Sequence, residues 1–228
     1  MAGTVMHLVI ADRLLEALGV KNPGYFYCGN LAPDAIMSKK GYVREMKRHT
    51  HFKDGIRLHE FRIPENRKIY EARLQKFVEG LVKKPSAHQE IYFGYLTHML
   101  VDELYLLEFR DHFIDGLVAQ GKEPTDEAFI ELFTKDVDQI DWYLAKNYGF
   151  RHPMPEALML KEEYEIPGLV GYEELLSSKE FIIKKNFLTS HPKESLNVMT
   201  MEQNEAFMDL CVRDIPRILR ERYGLVPG

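Results

Sequence analysis

Apolar positions along this chain recur at spacings of three and four, the signature of helices with one buried face. From Val5 to Leu18, Val5, Leu8, Leu15 and Leu18 form one stripe, with Ala11 and Leu14 beside it and Gly19 as the stop. Asn22-Pro23-Gly24 reads as a turn, followed by a short apolar helix ending near Asn30, because Pro33 disfavours helical geometry at Ala32. Residues 37–50 are basic and read as irregular. Pro64 opens an amphipathic helix over about 65–82, with Ile69, Leu74, Phe77, Val78 and Leu81 inward. The next helix runs from about 88 to 118. It is apolar on most sides, which predicts burial along its length. Pro124-Thr125-Asp126 reads as the cap of a helix to about Tyr143; 149–171 reads as an irregular connection; 172–188 as two shorter helices; and 201–222 as the last helix, with Phe207, Leu210, Cys211, Ile215 and Leu219 inward. No long strand pattern and no repeat occurs. The expected fold is all-α, a multi-helix bundle of one domain over residues 1–228 around a central buried helix at about 88–118.

Two polar residues interrupt that central helix. His98 and Asp102 are four apart, so their side chains stack on one face, with Gly94 one turn earlier on the same stripe. Burying a histidine and a carboxylate costs several kcal/mol unless they pair or bind metal. One reading of this pair alone is a buried hydrogen bond; the other is a two-ligand platform for a cation. Further residues of the same types stand at the ends of other apolar segments. His7 lies on the inward side of the first helix, Asp34 follows Pro33, and His51 follows the basic stretch. Each has a plain structural alternative: a core histidine, a helix N-cap and a loop residue. Taken together, His7, Asp34, His51, His98 and Asp102 form an imidazole–carboxylate set that suits a divalent ion such as zinc, manganese or iron, and not a cysteine-based structural zinc.

Composition limits the function classes. A formal net charge of −5 leaves no electrostatic footprint for duplex nucleic acid, while a small phosphoester remains compatible because a metal supplies local positive charge. Two cysteines, Cys28 and Cys211, are too few for a disulfide framework. No run reaches the length of a transmembrane helix. The first residues lack the basic and apolar regions of a secretory signal, so the cytoplasm is the expected location.

The ordered set resembles the zinc-dependent phospholipase C family, whose broader superfamily includes single-strand-specific nucleases. The matching pieces are the early helical His7, Ala32-Pro33-Asp34, His51-Phe52 with Asp54 behind, and Phe93-Gly94-Tyr95-Leu96-Thr97-His98 followed by Asp102. The resemblance covers roughly residues 5–105. It implies that Asp34, His51, His98 and Asp102 hold one metal, that Asp102 bridges to a second with His7, and that Asp34 is the catalytic base orienting a metal-activated water. The expected cofactor is one or two divalent ions, zinc first, with manganese or iron as alternatives.

The chain departs from the secreted members in several ways. It begins Met1-Ala2-Gly3 where those enzymes place a metal-ligating amino-terminal tryptophan, and the usual third-metal ligands are missing. His112 and His49 are the secondary metal candidates. On an unbroken helix, His112 would lie about 21 Å from His98, so it needs a break after Tyr105 to join the set. Glu103 points about 100° away from Asp102. No lipid-binding β-sandwich fits in the helical tail. These departures point to an intracellular, reduced-metal branch.

The leading function is therefore a metal-dependent phosphoric-ester hydrolase acting on a phosphodiester or phospholipid-like ester. The alternative is a non-catalytic helical interaction protein with a structural or lapsed metal site. A third class, the HD-type phosphohydrolases, needs an adjacent His-Asp pair, and this chain has none. Nothing in the pattern fixes the oligomeric state.

Overall fold

The computed structural model describes residues 2–86, 88–110, 114–115, 118–119, 121, 127–159 and 164–225. The helices, in chain order, are α1 (Thr4–Leu14), α2 (Pro23–Ala35), α3 (Arg44–Thr50), α4 (Pro64–Phe77), α5 (Gln89–Leu104), α6 (Glu127–Asn147), α7 (Met154–Leu158), α8 (Tyr172–Ile182) and α9 (Met201–Tyr223). Among the described residues the β-structure is one isolated bridge between Ile166 and Val170, so the molecule is all-helical as the periodicity predicts. No described helix is long and apolar enough to cross a membrane.

The centre of the bundle is α5, in which every residue from Gly94 to Leu104 is buried. A helix that is apolar on most sides is stable in water only when neighbours cover it all round, and α2, α1 and α9 do so. Two glycines set how closely α2 approaches. A Cβ on Gly29 would overlap the Ile91 carbonyl, and one on Gly94 would overlap the Phe26 carbonyl and lie 2.8 Å from the Asn30 nitrogen. Backbone therefore meets backbone at this crossing. α1 packs against α2, α6, α9 and α5. The last helix is bounded on both sides by local chemistry. Thr200 and Gln203 form a reciprocal capping box at its start, and Gly224 takes a left-handed conformation (φ 63°) at its end.

Several boundaries differ from the expectation, each for a tertiary reason. α2 runs on through Pro33 to Ala35 although Pro33 has no N–H to give. Residues 26–33 are buried against their neighbours, and that packing outweighs the local preference at Ala32. The stretch 37–50 is not irregular. It contains a 3₁₀ turn (Ile36–Ser38) and α3, which has almost no apolar stripe and is held by long-range bonds. Thr50 Oγ1 donates to the Pro33 carbonyl at 2.8 Å, and the Tyr95 hydroxyl donates to the Thr50 carbonyl.

The central helix passes into a π-helical turn at Tyr105–Phe109. The remainder of its expected span and the Pro124–Asp126 cap lie largely outside the described residues. α8 also continues into a π-helical turn, Ile183–Leu188, so 172–188 is one helical run instead of two. Within 149–171 a short helix, α7, appears. On α4, Ile69 is exposed and Tyr70 is buried in its place, its hydroxyl donating to the Met99 carbonyl at 3.2 Å. The aromatic side chain carries a polar tip that finds a partner on α5.

The α2–α5 crossing yields a test. Gly94→Ala places a methyl group into backbone that has no rotamer to yield, so it should cost about 1–3 kcal/mol of stability. Urea unfolding of parent and variant measures it; equal midpoints and slopes would show that the crossing relaxes freely.

Candidate metal centre

The bundle brings His7 (α1), Asp34 (α2), His51 (the residue closing α3), His98 and Asp102 (both α5) to one place. Ligand atoms of His7, His98 and Asp102 lie within 4.8 Å of one another, as do those of Asp34, His51 and His98. His51 Nε2 is 3.2 Å from Asp34 Oδ1 and 3.5 Å from Asp102 Oδ2, and His98 Nε2 is 4.0 Å from Asp102 Oδ2. His7 Nε2 is 3.5 Å from Asp102 Oδ1, and its ring stacks on His98 with centroids 3.9 Å apart.

Backbone carbonyls fix which face of two imidazoles looks inward. His98 Nδ1 is 2.8 Å from the Asn30 carbonyl, and His51 Nδ1 is 2.8 Å from the Lys47 carbonyl. A carbonyl only accepts, so both Nδ1 atoms carry the proton and both Nε2 atoms keep a lone pair. Those lone pairs point at carboxylate oxygens, which also only accept. The Nε2 atoms of both rings, both nitrogens of His7 and both oxygens of Asp102 are buried without a hydrogen-bond partner. Such an arrangement is repulsive unless a cation sits among the acceptors. Bonds of about 2.0–2.1 Å to a tetrahedral zinc would put the donors about 3.3 Å apart, close to the spacings found here. The residues fit a divalent ion, and an imidazole whose second nitrogen donates to a backbone carbonyl is the usual outer support of a metal ligand.

The turn after α3 aims His51. Phe52 has φ 56°, the left-handed region that a bulky residue rarely enters. Lys53 N bonds to the Arg48 carbonyl at 2.8 Å and Phe52 N to the His49 carbonyl at 3.0 Å. This is a Schellman end with phenylalanine where glycine is usual. The ring offsets the strain by packing on Phe77 and Tyr95, with centroids 5.4 and 6.0 Å away. The tight reversal turns His51 inward and carries Lys53 in directly behind it.

Two lysines accompany the set. Lys47 Nζ is 2.7 Å from Asp34 Oδ1. Lys53 is buried, its ammonium 3.8 Å from Asp102 Oδ2 and above the rings of Phe61 and Tyr70 at 5.2 and 5.9 Å. Burial alone would raise the Asp34 carboxyl, but the Lys47 ammonium and His51 outweigh it and hold it well below the usual range. Burial likewise opposes ionisation of Asp102, and Lys53 with the surrounding imidazoles overcomes it. Burial pushes His51 and His98 down, the latter further because His7 is stacked against it. Asp34 and Asp102 are thus carboxylates beside the neutral imidazoles of His51 and His98, the protonation state a metal requires.

Other residues singled out from the sequence lie elsewhere. His49 is on the surface, with Nδ1 2.9 Å from Asp54 Oδ2 and Nε2 3.2 Å from the Gly168 carbonyl, so α3 turns it away from the set that contains His51. His112 lies outside the described residues. Glu103 is committed to Arg222, whose Nη1 is 2.8 Å from both of its carboxylate oxygens. Among the remaining histidines, His59 and His152 are exposed, and the His191 ring stacks on Trp142 with centroids 3.7 Å apart. The sequence reading gave Lys53 no role and took Lys47 as part of a basic segment, Lys39–Arg48, read as a solvated charged loop with contact to a phosphate as the alternative. A lysine four residues before His51 is the one signal that would have marked Lys47.

Residues 6–139, more than half of the chain, match the family model described as Zinc dependent phospholipase C. No curated protein and no solved structure matches.

The low values of His51 and His98 make a prediction for the metal-free protein. Below pH 6.5 the unfolded chain takes up protons that these buried imidazoles refuse, so the stability they confer is full above that pH and is lost as pH falls through their lower folded values. Asp34 and Asp102 add a second loss below 3.8. Denaturant unfolding in chelator at pH 7.5 and 5.5 should show the acid sample weaker by up to about 1.4 kcal/mol per pH unit per histidine. Equal or greater stability at pH 5.5 would contradict the neutral assignment.

Proposed function

The chain belongs to the zinc-dependent phospholipase C family, and on that footing we propose that it is a hydrolase of small phosphodiesters or phospholipid-like esters. His51, His98, Asp34 and Asp102 are the proposed ligands of one divalent ion, zinc first, and His7 with Asp102 of a second. A divalent ion there lowers the pKa of water toward neutrality and neutralises the phosphoryl oxygens. The observation that carries the reading is the inward aim of the His51 and His98 lone pairs at buried carboxylates, with each ring locked by a backbone carbonyl.

The remaining work falls to the chain's own side chains. Asp34 is the proposed base: its side chain is 14 % exposed, whereas Asp102 is 1 % exposed and has no route to an attacking water. Asp34 is ionised at neutral pH and so accepts a hydrogen bond that orients the attacking water. Asp102, four residues after His98, has one oxygen 3.5 Å from His7 Nε2 and the other 3.5 Å from His51 Nε2, while His98 is the residue common to both ligand groups. Walls of α1, α2 and α5 keep bulk water from the inner side, which strengthens every charge interaction within.

His98→Ala and Asp102→Ala should each lower hydrolysis of bis(p-nitrophenyl) phosphate more than about a hundredfold, with helical circular dichroism retained. Parent-level turnover in both variants would refute the reading. Metal-stripped protein should stay folded while losing activity; unfolding on removal, with no turnover in the loaded form, would favour a structural site instead.

A further inference from the structure

The His/Asp set is buried except at one edge. His7, His51, His98 and Asp102 side chains are 1–3 % exposed, whereas Asp34 is 14 % and Lys47 23 % exposed. The solvent-facing edge of the set is formed by Asp34 and Lys47. The Lys47 ammonium rests on Asp34 Oδ1, the oxygen 3.2 Å from the His51 lone pair. An ammonium and a divalent cation cannot share that oxygen without strong repulsion. When Asp34 and His51 are committed to a metal, Lys47 loses its partner while staying at the mouth.

Its anchorage is unusually firm for a surface lysine. The Lys47 carbonyl is the acceptor that orients His51, at 2.8 Å, and it also receives Thr50 Oγ1 at 3.1 Å. The backbone of this one residue therefore aims a proposed ligand while its side chain covers the entrance. The local sequence is basic: residues 37–48 hold Lys39, Lys40, Arg44, Lys47 and Arg48 against Glu45, in a chain whose net charge is −5, with Arg48 paired to Glu45 at 3.2 Å and Lys39 3.9 Å from Glu174.

We propose that Lys47 is the side chain that receives the substrate's phosphate: its ammonium leaves Asp34 when the metal is held and pairs with a non-bridging phosphoryl oxygen of the incoming ester. This rests on the hydrolase reading above.

The test uses the zinc-loaded full chain, Lys47→Met and Lys47→Arg, with three readouts: bound zinc by elemental analysis, inorganic phosphate binding by calorimetry, and steady-state hydrolysis of bis(p-nitrophenyl) phosphate. Lys47→Met should keep the parent's zinc content, weaken phosphate binding at least about tenfold, and raise KM by more than it lowers kcat. Lys47→Arg should recover most of both. Unchanged phosphate affinity in Lys47→Met overturns the proposal, and so does loss of zinc from that variant, which would make Lys47 a structural support. Failure of the hydrolase reading is separately visible as a zinc-loaded parent without turnover. In that case phosphate calorimetry still decides the role of Lys47.

Discussion

Everything in this fold turns on acceptors facing acceptors in a buried interior. His51 and His98 each spend one ring proton on a backbone carbonyl and present the other nitrogen bare to Asp34 and Asp102. Each buried polar atom left without a partner costs about 1–3 kcal/mol. A protein stable by only a few kcal/mol carries several such atoms only if something compensates them. In the metal-free chain the compensation is partial, from the ammonium groups of Lys47 and Lys53. A divalent ion among the lone pairs would complete it.

The scaffold is arranged to hold that conflict in place. Gly29 and Gly94 let the backbones of α2 and α5 touch, which brings the Asn30 carbonyl to His98. α3, short and poorly amphipathic, is pinned from both sides through Thr50 and Tyr95. Its strained end at Phe52 then turns His51 inward and Lys53 after it. Backbone strain of this kind persists where surrounding packing over-determines it, and here the aromatic contacts of Phe52 do so. The first 105 residues thus furnish each member of the set, while α9 braces α5 from outside through the Arg222–Glu103 pair.

α4 and α9 were legible from apolar spacing, because burial of one face is what makes those segments fold, and α1 and α5, buried on nearly all sides, from their dense apolar content. α3 was not, since its seven residues carry no stripe and depend on bonds to Pro33 and Tyr95 that are distant in sequence. Pro33 misled for the same reason: a local preference lost to packing. At the site, the side-chain types and their order were legible, as was the shared face of His98 and Asp102. The carbonyls that orient the imidazoles were not, because every residue has one and only the fold decides which faces a ring. The lysines were hidden by composition, since a basic loop and a basic entrance read alike until Asp34 is seen beneath Lys47.

The most direct measurement is X-ray absorption at the zinc edge on protein loaded with zinc and freed of excess ion. The account predicts a first shell of nitrogen and oxygen at about 2.0–2.1 Å, with the outer-shell scattering of imidazole rings and loss of part of it in His51→Ala. A sulfur shell at about 2.3 Å, or no retained zinc in a folded parent, would contradict it and return the five residues to the role of a buried polar network.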